Sequence, residues 1–476
     1  MSLPDGWEMV VGLEVHTELL TASKLFCGCE NRFGEEPNTH VCPVCLGLPG
    51  SLPVLNRQAV ELAMRIGAAL HCTIAPSTFH RKNYFYPDQS KDYQISQYDL
   101  PINSRGYLDL PDGSRIGIER AHLEEDTGKT THLSSGGRLQ GAERSLVDYN
   151  RCGVPLVEIV SAPDIRSSAQ AREYAAELRD ILVATGASDG RLEEGSVRFD
   201  ANVSVRRPGE PFGTRCEIKN LNSLRSLQRA IDYEALRQIE LLEEGGVVRQ
   251  ETRHWDEGLG ETSTLRVKED AEDYRYFRDP DLVDLAPDPV WIDTVRHSLP
   301  PMPAERRAEL RALFVDLTSA QGDAVDTVVE LGLERFVHAV ASAGGDVAIA
   351  LSRTANEIAG ALEDLPRLPE ATFVEVVAME SAGEVSATQA KSLLGALLAG
   401  EDTDPRRLAQ AKGFEQMAEG ALRSLVEELI STHPDEWARY RDGDDKLAQF
   451  FIGQVMRRTK GQANGKAVVE ELNARR

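Results

Sequence analysis

The chain has 476 residues, of which 41% are hydrophobic, and it carries a formal net charge of −24. Because single hydrophobic cores stop growing well below this length, two to four domains are expected. The negative charge excludes indiscriminate adhesion to nucleic acid, and the lack of a run of about eighteen apolar residues or of a signal peptide predicts a cytoplasmic protein without a membrane segment.

The first predicted element is a strand over residues 12–19, in which polar and apolar residues alternate. Glu14, His16 and Glu18 fall on one face of this strand, and leucine and valine fall on the other. Two carboxylates that flank an imidazole indicate catalysis or metal binding. An antiparallel edge strand with a solvated polar face explains the same pattern, so the choice depends on partners elsewhere in the chain.

Four of the seven cysteines are crowded into one short segment, as Cys27, Cys29, Cys42 and Cys45. A CxC pair followed by a CxxC pair can bring four thiolates together tetrahedrally, which is how structural zinc sites are closed. Free thiols in a reducing compartment are the alternative interpretation.

The cysteines also permit a catalytic interpretation. His16 and Glu18, followed by Cys42 and Cys45, resemble the nucleobase deaminase signature, in which a histidine and two cysteines hold a catalytic zinc ion. Val41 stands where that signature has proline, and Cys27 and Cys29 would have no role.

Further candidate site residues follow along the chain. Arg81 and Lys82 precede the aromatic run 84–86, a combination that suits phosphate contact and base stacking, although core packing with a basic rim explains it too. Glu158 lies inside the apolar run 154–160, where a carboxylate is costly unless it is paired or bound to a metal. The acidic run 124–126 precedes Gly128-Lys129-Thr130, which lacks the glycine that a Walker phosphate-binding loop needs.

Composition divides the chain into three regions. Residues 1–295 contain short alternating runs, such as 198–205 and 215–218, together with one clear helix over 224–244 that Asn222 or Ser223 can cap. After the proline-rich passage 299–303 the periodicity becomes helical, and the segment 401–405 interrupts it. The prediction is an α+β fold with a β-rich domain over 1–295, a helical domain over 296–405 and a small helical domain over 406–476.

The C-terminal region carries a local excess of positive charge. From Lys446 onward the chain has seven basic and two acidic residues, which makes this end the best candidate for contact with a polyanion. A solvated helix face explains the same composition. The candidate contact residues are Arg457, Arg458, Lys460 and Lys466.

Several ordered blocks together resemble one family, the B subunits of the aspartyl/glutamyl-tRNA amidotransferases. These blocks span nearly the whole chain and are residues 10–16 (VVGLEVH), 81–88 (RKNYFYPD), 122–126 (HLEED), 146–151 (LVDYNR), 193–196 (EEGS), 217–223 (EIKNLNS), 273–277 (DYRYF) and 460–464 (KGQAN).

The resemblance implies a carbon–nitrogen ligase that works inside a heterotrimer. In this family, the B subunit uses ATP to phosphorylate the side-chain carboxylate of Glu or Asp misloaded on tRNA(Gln) or tRNA(Asn). Ammonia that the A subunit, an amidase, releases from glutamine then displaces the phosphate. The small C subunit ties the other two together, and a mobile tail domain grips the tRNA.

The same resemblance implies roles for individual residues. The family's magnesium ligands fall here on His16, Glu125 and Glu158, while Glu14 and Asp200 match acidic neighbours that support this ion or bind another one. Because histidine is an unusual magnesium ligand, Mn²⁺ is expected to substitute well. Lys82 is expected to contact a phosphate or a carboxylate, with Arg81 beside it, and the four cysteines match a structural zinc site. The non-catalytic alternative is a zinc-stabilised scaffold that binds tRNA.

Overall fold

The computed structural model describes residues 3–133, 142–267, 274–414, 419–459, 463 and 465–476. Contacts divide the chain into two compact units, Met1–Met302 and Pro303–Arg476. The described residues form one hydrophobic core in the first unit and two in the second. The fold is α+β, as the sequence predicts.

The strands of the described residues all lie in the first unit. They are β1 (Glu8–Glu18), β2 (Thr73–Ile74), β3 (His80–Asn83), β4 (Tyr93–Ser96), β5 (Asn103–Asp109), β6 (Arg115–Glu125), β7 (Lys129–His132), β8 (Ser145–Asp148), β9 (Pro155–Ser161), β10 (Val197–Arg206), β11 (Cys216–Leu221), β12 (Glu251–Asp256), β13 (Glu261–Val267) and β14 (Phe277–Arg278).

Most of these strands form one large mixed sheet with the order β13-β12-β11-β10-β1-β9-β6-β4-β3-β14. Strand β5 joins its side by pairing with β6 and β2, and β7 and β8 form a separate hairpin. Strand β1 is an inner strand, since it pairs antiparallel with β10 on one side and with β9 on the other. The edge-strand interpretation of residues 12–19 is therefore wrong.

Alternation along these strands gives the sheet two different faces. On β1 the apolar residues Val11, Leu13 and Val15 are fully buried in the core, while the residues between them point to the opposite face. The described part of this unit also has four α-helices: α1 (Arg57–Ala69), α2 (Ser168–Ala184), α3 (Leu224–Glu243) and α4 (Pro289–His297). The predicted helix over 224–244 is confirmed as α3, with the Ser223 hydroxyl accepting from the Ser226 amide as its N-cap.

The second unit is helical in all the residues that the structure describes. Its helices are α5 (Pro303–Arg311), α6 (Ser319–Glu330), α7 (Glu334–Ser342), α8 (Val347–Arg353), α9 (Glu370–Ser381), α10 (Ala387–Leu398), α11 (Pro405–Ala411), α12 (Glu419–Thr432), α13 (Pro434–Arg441), α14 (Leu447–Arg458) and α15 (Gly465–Asn473), with a π-helical turn (Thr354–Ile358) and a 3-10 turn (Leu362–Arg367) after α8. None of the described helices is long and apolar enough to span a bilayer.

Two predicted boundaries differ from where the cores divide. Residue 295 lies within α4, and Val295 is buried in the core of the first unit. Residue 405 begins α11, whose Leu408 and Ala409 belong to the second core, whereas the third core starts with Leu422. Apolar spacing, which composition alone does not resolve, decides to which core these short helices belong.

Candidate functional site

A cavity of about 570 Å³ lies on the face of the sheet opposite the core. Adjacent strands from β3 to β11 contribute its lining, so the cavity crosses the middle of the sheet. In contrast to a hydrophobic ligand pocket, its walls are mainly charged or polar side chains, with a group of tyrosines added. Such a lining suits a highly charged substrate.

Strand register brings together the central residues of this cavity. His16 on β1 lies opposite Glu158 on β9, and Glu158 in turn lies opposite His122 on β6. Two residues further along β6, Glu124 returns to the same face. The side-chain oxygens and nitrogens of His16, Glu124 and Glu158 lie within 4.8 Å of one another and form a group that could hold a metal ion. This group is called the triad below.

The distances within the triad are those of ion pairs. The Nε2 atom of His16 lies 3.5 Å from a Glu158 oxygen and 3.8 Å from a Glu124 oxygen. The Nε2 atom of His122 lies 3.8 Å from Glu158 and 3.9 Å from Glu124. Two imidazoles therefore face the same two carboxylates.

The pKa values in this group reflect its burial and its mutual charges. Burial alone lowers the pKa of His16, but Glu158, Glu124 and Asp200 outweigh it and raise the pKa to about 9. Burial and the charge of Glu158 raise the pKa of Glu124 to about 7. Burial lowers the pKa of His122 to about 4. At neutral pH His16 therefore carries a proton that a bound divalent cation would replace, while His122 is neutral.

Glu125, the predicted metal ligand on β6, lies outside the triad. Its carboxylate pairs with the Lys91 ammonium on the other side of the strand and accepts a hydrogen bond of 2.9 Å from the Ile95 amide. Neighbouring residues of a strand point to opposite faces, so only one of Glu124 and Glu125 can face His16. The structure corrects the prediction, since Glu124 holds the place that the sequence analysis gives to Glu125.

A second acidic group lies beside the triad and contains both predicted neighbours, Glu14 and Asp200. These two residues are register partners on β1 and β10, and Glu217 on β11 completes the group. The Lys219 ammonium lies 2.8 Å from Asp200 and 3.1 Å from Glu217. A lysine charge is thus built into this second group.

Several cations line the cavity around the two acidic groups. They are Lys82, Arg120, Arg198, Arg215 and Lys219. The Lys82 ammonium lies 4.6 Å from the centre of the Tyr274 ring. Lys82 therefore occupies a position from which it could contact a substrate anion, as the sequence analysis expects.

Arg81 is turned away from the cavity lining. Its guanidinium donates to Asp279 and Asp281, both at 2.8 Å, and lies over the ring of Tyr93. Alternation explains this placement, because Lys82 and Arg81 are neighbours on β3. The structure gives Arg81 a role in holding the 279–281 segment, in place of the predicted contact with ATP.

The four cysteines form a group of their own. The sulfur atoms of Cys27, Cys29, Cys42 and Cys45 lie within 4.8 Å of one another, and the Cys42 and Cys45 sulfurs are 3.9 Å apart. Sulfur ligands of a tetrahedral zinc ion lie about 3.8 Å apart, given a bond of about 2.3 Å, so the residues present fit this ion. His16 belongs to the carboxylate triad, which rules out the deaminase interpretation that joins it to Cys42 and Cys45.

The predicted tRNA contacts in the tail are partly described. Arg457 and Arg458 are exposed at the end of α14, and Arg458 donates to Glu428 at 2.6 Å. Lys460 lies outside the described residues, and the structure describes the backbone of Lys466 but not its side chain. The tail contacts stay a prediction.

Four site residues were missed by sequence reasoning: His122, Glu124, Glu217 and Lys219. All four could have been found by parity, because each shares an alternating face with a residue that was chosen or lies one step along the same strand. His122 and Glu124 alternate with the buried Leu123, which marks the site face of β6.

Comparisons with known proteins agree with the resemblance seen in the sequence. Residues 9–293 match the model of the GatB/GatE catalytic domain, and residues 335–475 match that of the GatB domain. Three similar proteins, each named as the B subunit of an aspartyl/glutamyl-tRNA(Asn/Gln) amidotransferase, come from Salinispora arenicola, Thermoanaerobacter sp. and Brevibacillus brevis. Their identities to this chain are 46%, 45% and 44%; the alignments cover 98%, 96% and 98% of this chain and 95%, 97% and 99% of those proteins. The chain therefore belongs to the GatB/GatE family, among the B subunits of the aspartyl/glutamyl-tRNA amidotransferases.

Proposed function

We propose that this chain activates the side-chain carboxylate of Glu or Asp misloaded on tRNA(Gln) or tRNA(Asn) and converts it into the amide, as a carbon–nitrogen ligase. The observation that carries this proposal is the triad of His16, Glu124 and Glu158 inside a cavity whose described walls also hold five cations. The triad suits a divalent cation, and the cationic walls suit the phosphates of ATP and the acidic side chain of the substrate.

The reaction has two steps whose atoms balance. An oxygen of the substrate carboxylate attacks the γ-phosphorus of ATP, the bond from that phosphorus to the bridging oxygen breaks, and ADP leaves. Ammonia then attacks the acyl carbon, phosphate departs with the bonding electron pair, and the nitrogen loses one proton. A divalent cation in the triad supplies charge neutralisation for the phosphates during the first step.

The residues of the chain hold the reacting groups in place. Lys82 and Arg120 are suited to bind phosphate or carboxylate oxygens, because their charged ends reach the cavity from β3 and β6. Arg120 also lies 3.6 Å from Glu158, which keeps its guanidinium beside the triad. The neutral imidazole of His122 faces both triad carboxylates and orients them.

The donor set bears on which cation is used. Two carboxylates and an imidazole offer one nitrogen ligand, which Mn²⁺ accepts more readily than Mg²⁺ does. We therefore expect Mg²⁺ to support the reaction and Mn²⁺ to replace it well. Glu14 and Asp200 act as neighbours of this ion, since Lys219 neutralises their group.

The family's other subunits and substrates are part of the proposal. Relatives of this chain are named as the B subunit of an enzyme for Asp/Glu-tRNA, which supports a heterotrimer with an amidase and a small third chain. The four cysteines bind zinc and stabilise the segment 27–45, and the exposed arginines of α14 contact the tRNA.

Transfer of labelled oxygen tests the proposal. The reconstituted heterotrimer is given ATP, glutamine and Glu-tRNA(Gln) in which the side-chain carboxylate of the Glu carries ¹⁸O. Activation by phosphoryl transfer places one ¹⁸O atom in the released inorganic phosphate. Label in AMP, or phosphate without label, would contradict the proposal.

Two variants connect this result to the triad. Glu124→Gln should stop the release of labelled phosphate, whereas the matched control Glu119→Gln, on an exposed position of the same strand, should leave it unchanged. If Glu124→Gln amidates Glu-tRNA at the wild-type rate, the chain is instead a scaffold that binds tRNA and the triad is structural.

A further inference from the structure

An aromatic rim borders the polar cavity. Tyr98, which follows β4, stacks on Tyr276, which precedes β14, with ring centres 4.1 Å apart and planes inclined by 8°. Both rings line the cavity that contains the triad. The proposed phosphoryl transfer gives these two rings no role.

Tyr98 is held in place and yet half exposed. Tyr276 covers one face of its ring, and His80 contacts its edge with ring centres 6.1 Å apart. Even so, 48% of the Tyr98 surface is accessible. Since one face is packed, the accessible area lies on the other face, which a flat ligand could cover.

The surroundings of Tyr98 favour a flat ligand with an apolar face. Leu100 and Phe277, its neighbours along the chain and beside the stack, are 50% and 47% exposed. Exposed aromatic and aliphatic groups at the rim of a charged cavity are typical of a site where a base stacks while its phosphates enter the polar part.

The stack also lies close to the reacting groups. Burial and the charges of Glu124 and Glu158 raise the pKa of Tyr276, which shows that its hydroxyl senses the triad. Lys82 and Arg120, suited to bind phosphate oxygens, line the same cavity. A base on Tyr98 would therefore have its ribose and phosphates within the cavity.

We propose that the half-exposed ring of Tyr98, backed by Tyr276, is the stacking platform for an adenine base at the mouth of the cavity. This inference rests on the proposed function, in which two substrates bring adenine to the site: ATP, and the 3′-terminal adenosine of the tRNA that carries the amino acid. The shared chemistry is a purine π-face on an aromatic ring, which does not depend on hydrogen-bond readout.

Binding measurements on the heterotrimer test the platform. Tyr98→Leu removes the ring, and Tyr98→Phe is the matched control that keeps it. One arm measures the Kd of ATP, with tripolyphosphate as a probe that lacks the base. The other arm measures the Kd of uncharged tRNA(Gln) that ends in CCA and of the same tRNA without its terminal adenosine.

We expect Tyr98→Leu to weaken the binding of either ATP or CCA-ended tRNA by roughly tenfold to a hundredfold, and Tyr98→Phe to change both by less than about twofold. Binding of tripolyphosphate and of the shortened tRNA should be the same in all three proteins. The arm that responds identifies which adenine occupies the platform.

Three results would overturn the platform. The first is Tyr98→Leu binding both ligands as the wild type does, which leaves the proposed function intact. The second is Tyr98→Phe losing as much affinity as Tyr98→Leu, because the hydroxyl would then be responsible. The third is a wild-type heterotrimer that binds neither ligand, which would overturn the proposed function as well. Tyr98→Trp, which keeps a ring, should bind at least as tightly as Tyr98→Phe.

Discussion

Two acidic groups share the cavity face of the sheet and balance their charges differently. The triad places two carboxylates around the imidazole of His16, whose proton can leave when a cation arrives. The group of Glu14, Asp200 and Glu217 contains the ammonium of Lys219, 2.8 Å from Asp200. The type of internal cation, and not the number of carboxylates, therefore marks which group is suited to bind an exchangeable metal ion.

Catalysis should separate the two groups most strongly. Glu124→Gln should lower the rate of glutamine-dependent amidation on the order of a thousandfold, about 4 kcal/mol, because it removes a ligand charge that the phosphoryl transfer depends on. Glu217→Gln should lower it only about tenfold, since Lys219 keeps Asp200 as a partner. Equal losses in steady-state rate for the two variants would remove the distinction between the groups.

Glu125 offers a third way of balancing a carboxylate, with the buried Lys91 as its partner. Glu125→Gln should lower the free energy of unfolding by about 3 kcal/mol, because it leaves the Lys91 ammonium buried without its counter-charge. Chemical denaturation measures this loss, and combining the change with Lys91→Met should recover part of it. The affinity for Mn²⁺ should stay within about threefold of the wild type; a loss of metal binding would return Glu125 to the ligand set.

Removing the internal cation of the second group should make that group resemble the triad. Lys219→Ala should destabilise the metal-free chain by about 2 kcal/mol, because Asp200 and Glu217 then repel each other without the lysine charge between them. Thermal unfolding should show the loss, and millimolar Mn²⁺ should reverse it by occupying the new site, while Lys219→Arg should need no metal. Stability that manganese does not restore would contradict the idea that Lys219 takes the place of a cation.

A smaller effect concerns pH and the proton on His16. Below its pKa of about 9 the imidazole is protonated, so a cation must displace a proton before it binds. The Kd of Mn²⁺ should therefore fall about tenfold for each pH unit between 7 and 8.5, which is about 1.4 kcal/mol per unit. Titration of Mn²⁺ by its electron paramagnetic resonance signal measures this. A Kd that does not change with pH would mean that His16 is not a ligand.

Much of the fold could be predicted from local patterns. Alternation marked β1, β10 and β11, and the helical period with its serine cap and terminal glycines marked α3. The position of β1 inside the sheet could not be read from its own sequence, because strand order depends on long-range pairing. The short helices at the domain boundaries likewise depend on which core receives their apolar residues.

The site was predicted in its residue types more completely than in its residue numbers. His16 and Glu158 carry over directly, and Lys82 reaches the cavity. The two errors, Glu125 for Glu124 and Arg81 beside Lys82, have the same cause. A motif supplies several charged neighbours, but on a strand only every second one reaches a given face. Resemblance alone does not register this parity, whereas the positions of buried leucines such as Leu123 do.

The location of bound manganese decides whether the triad is the metal site. Crystals of the heterotrimer soaked in Mn²⁺ should give an anomalous difference peak within bonding distance of His16 Nε2 and of the carboxylates of Glu124 and Glu158. That peak should disappear in Glu124→Gln. A peak among Glu14, Asp200 and Glu217 with none at the triad would contradict this assignment.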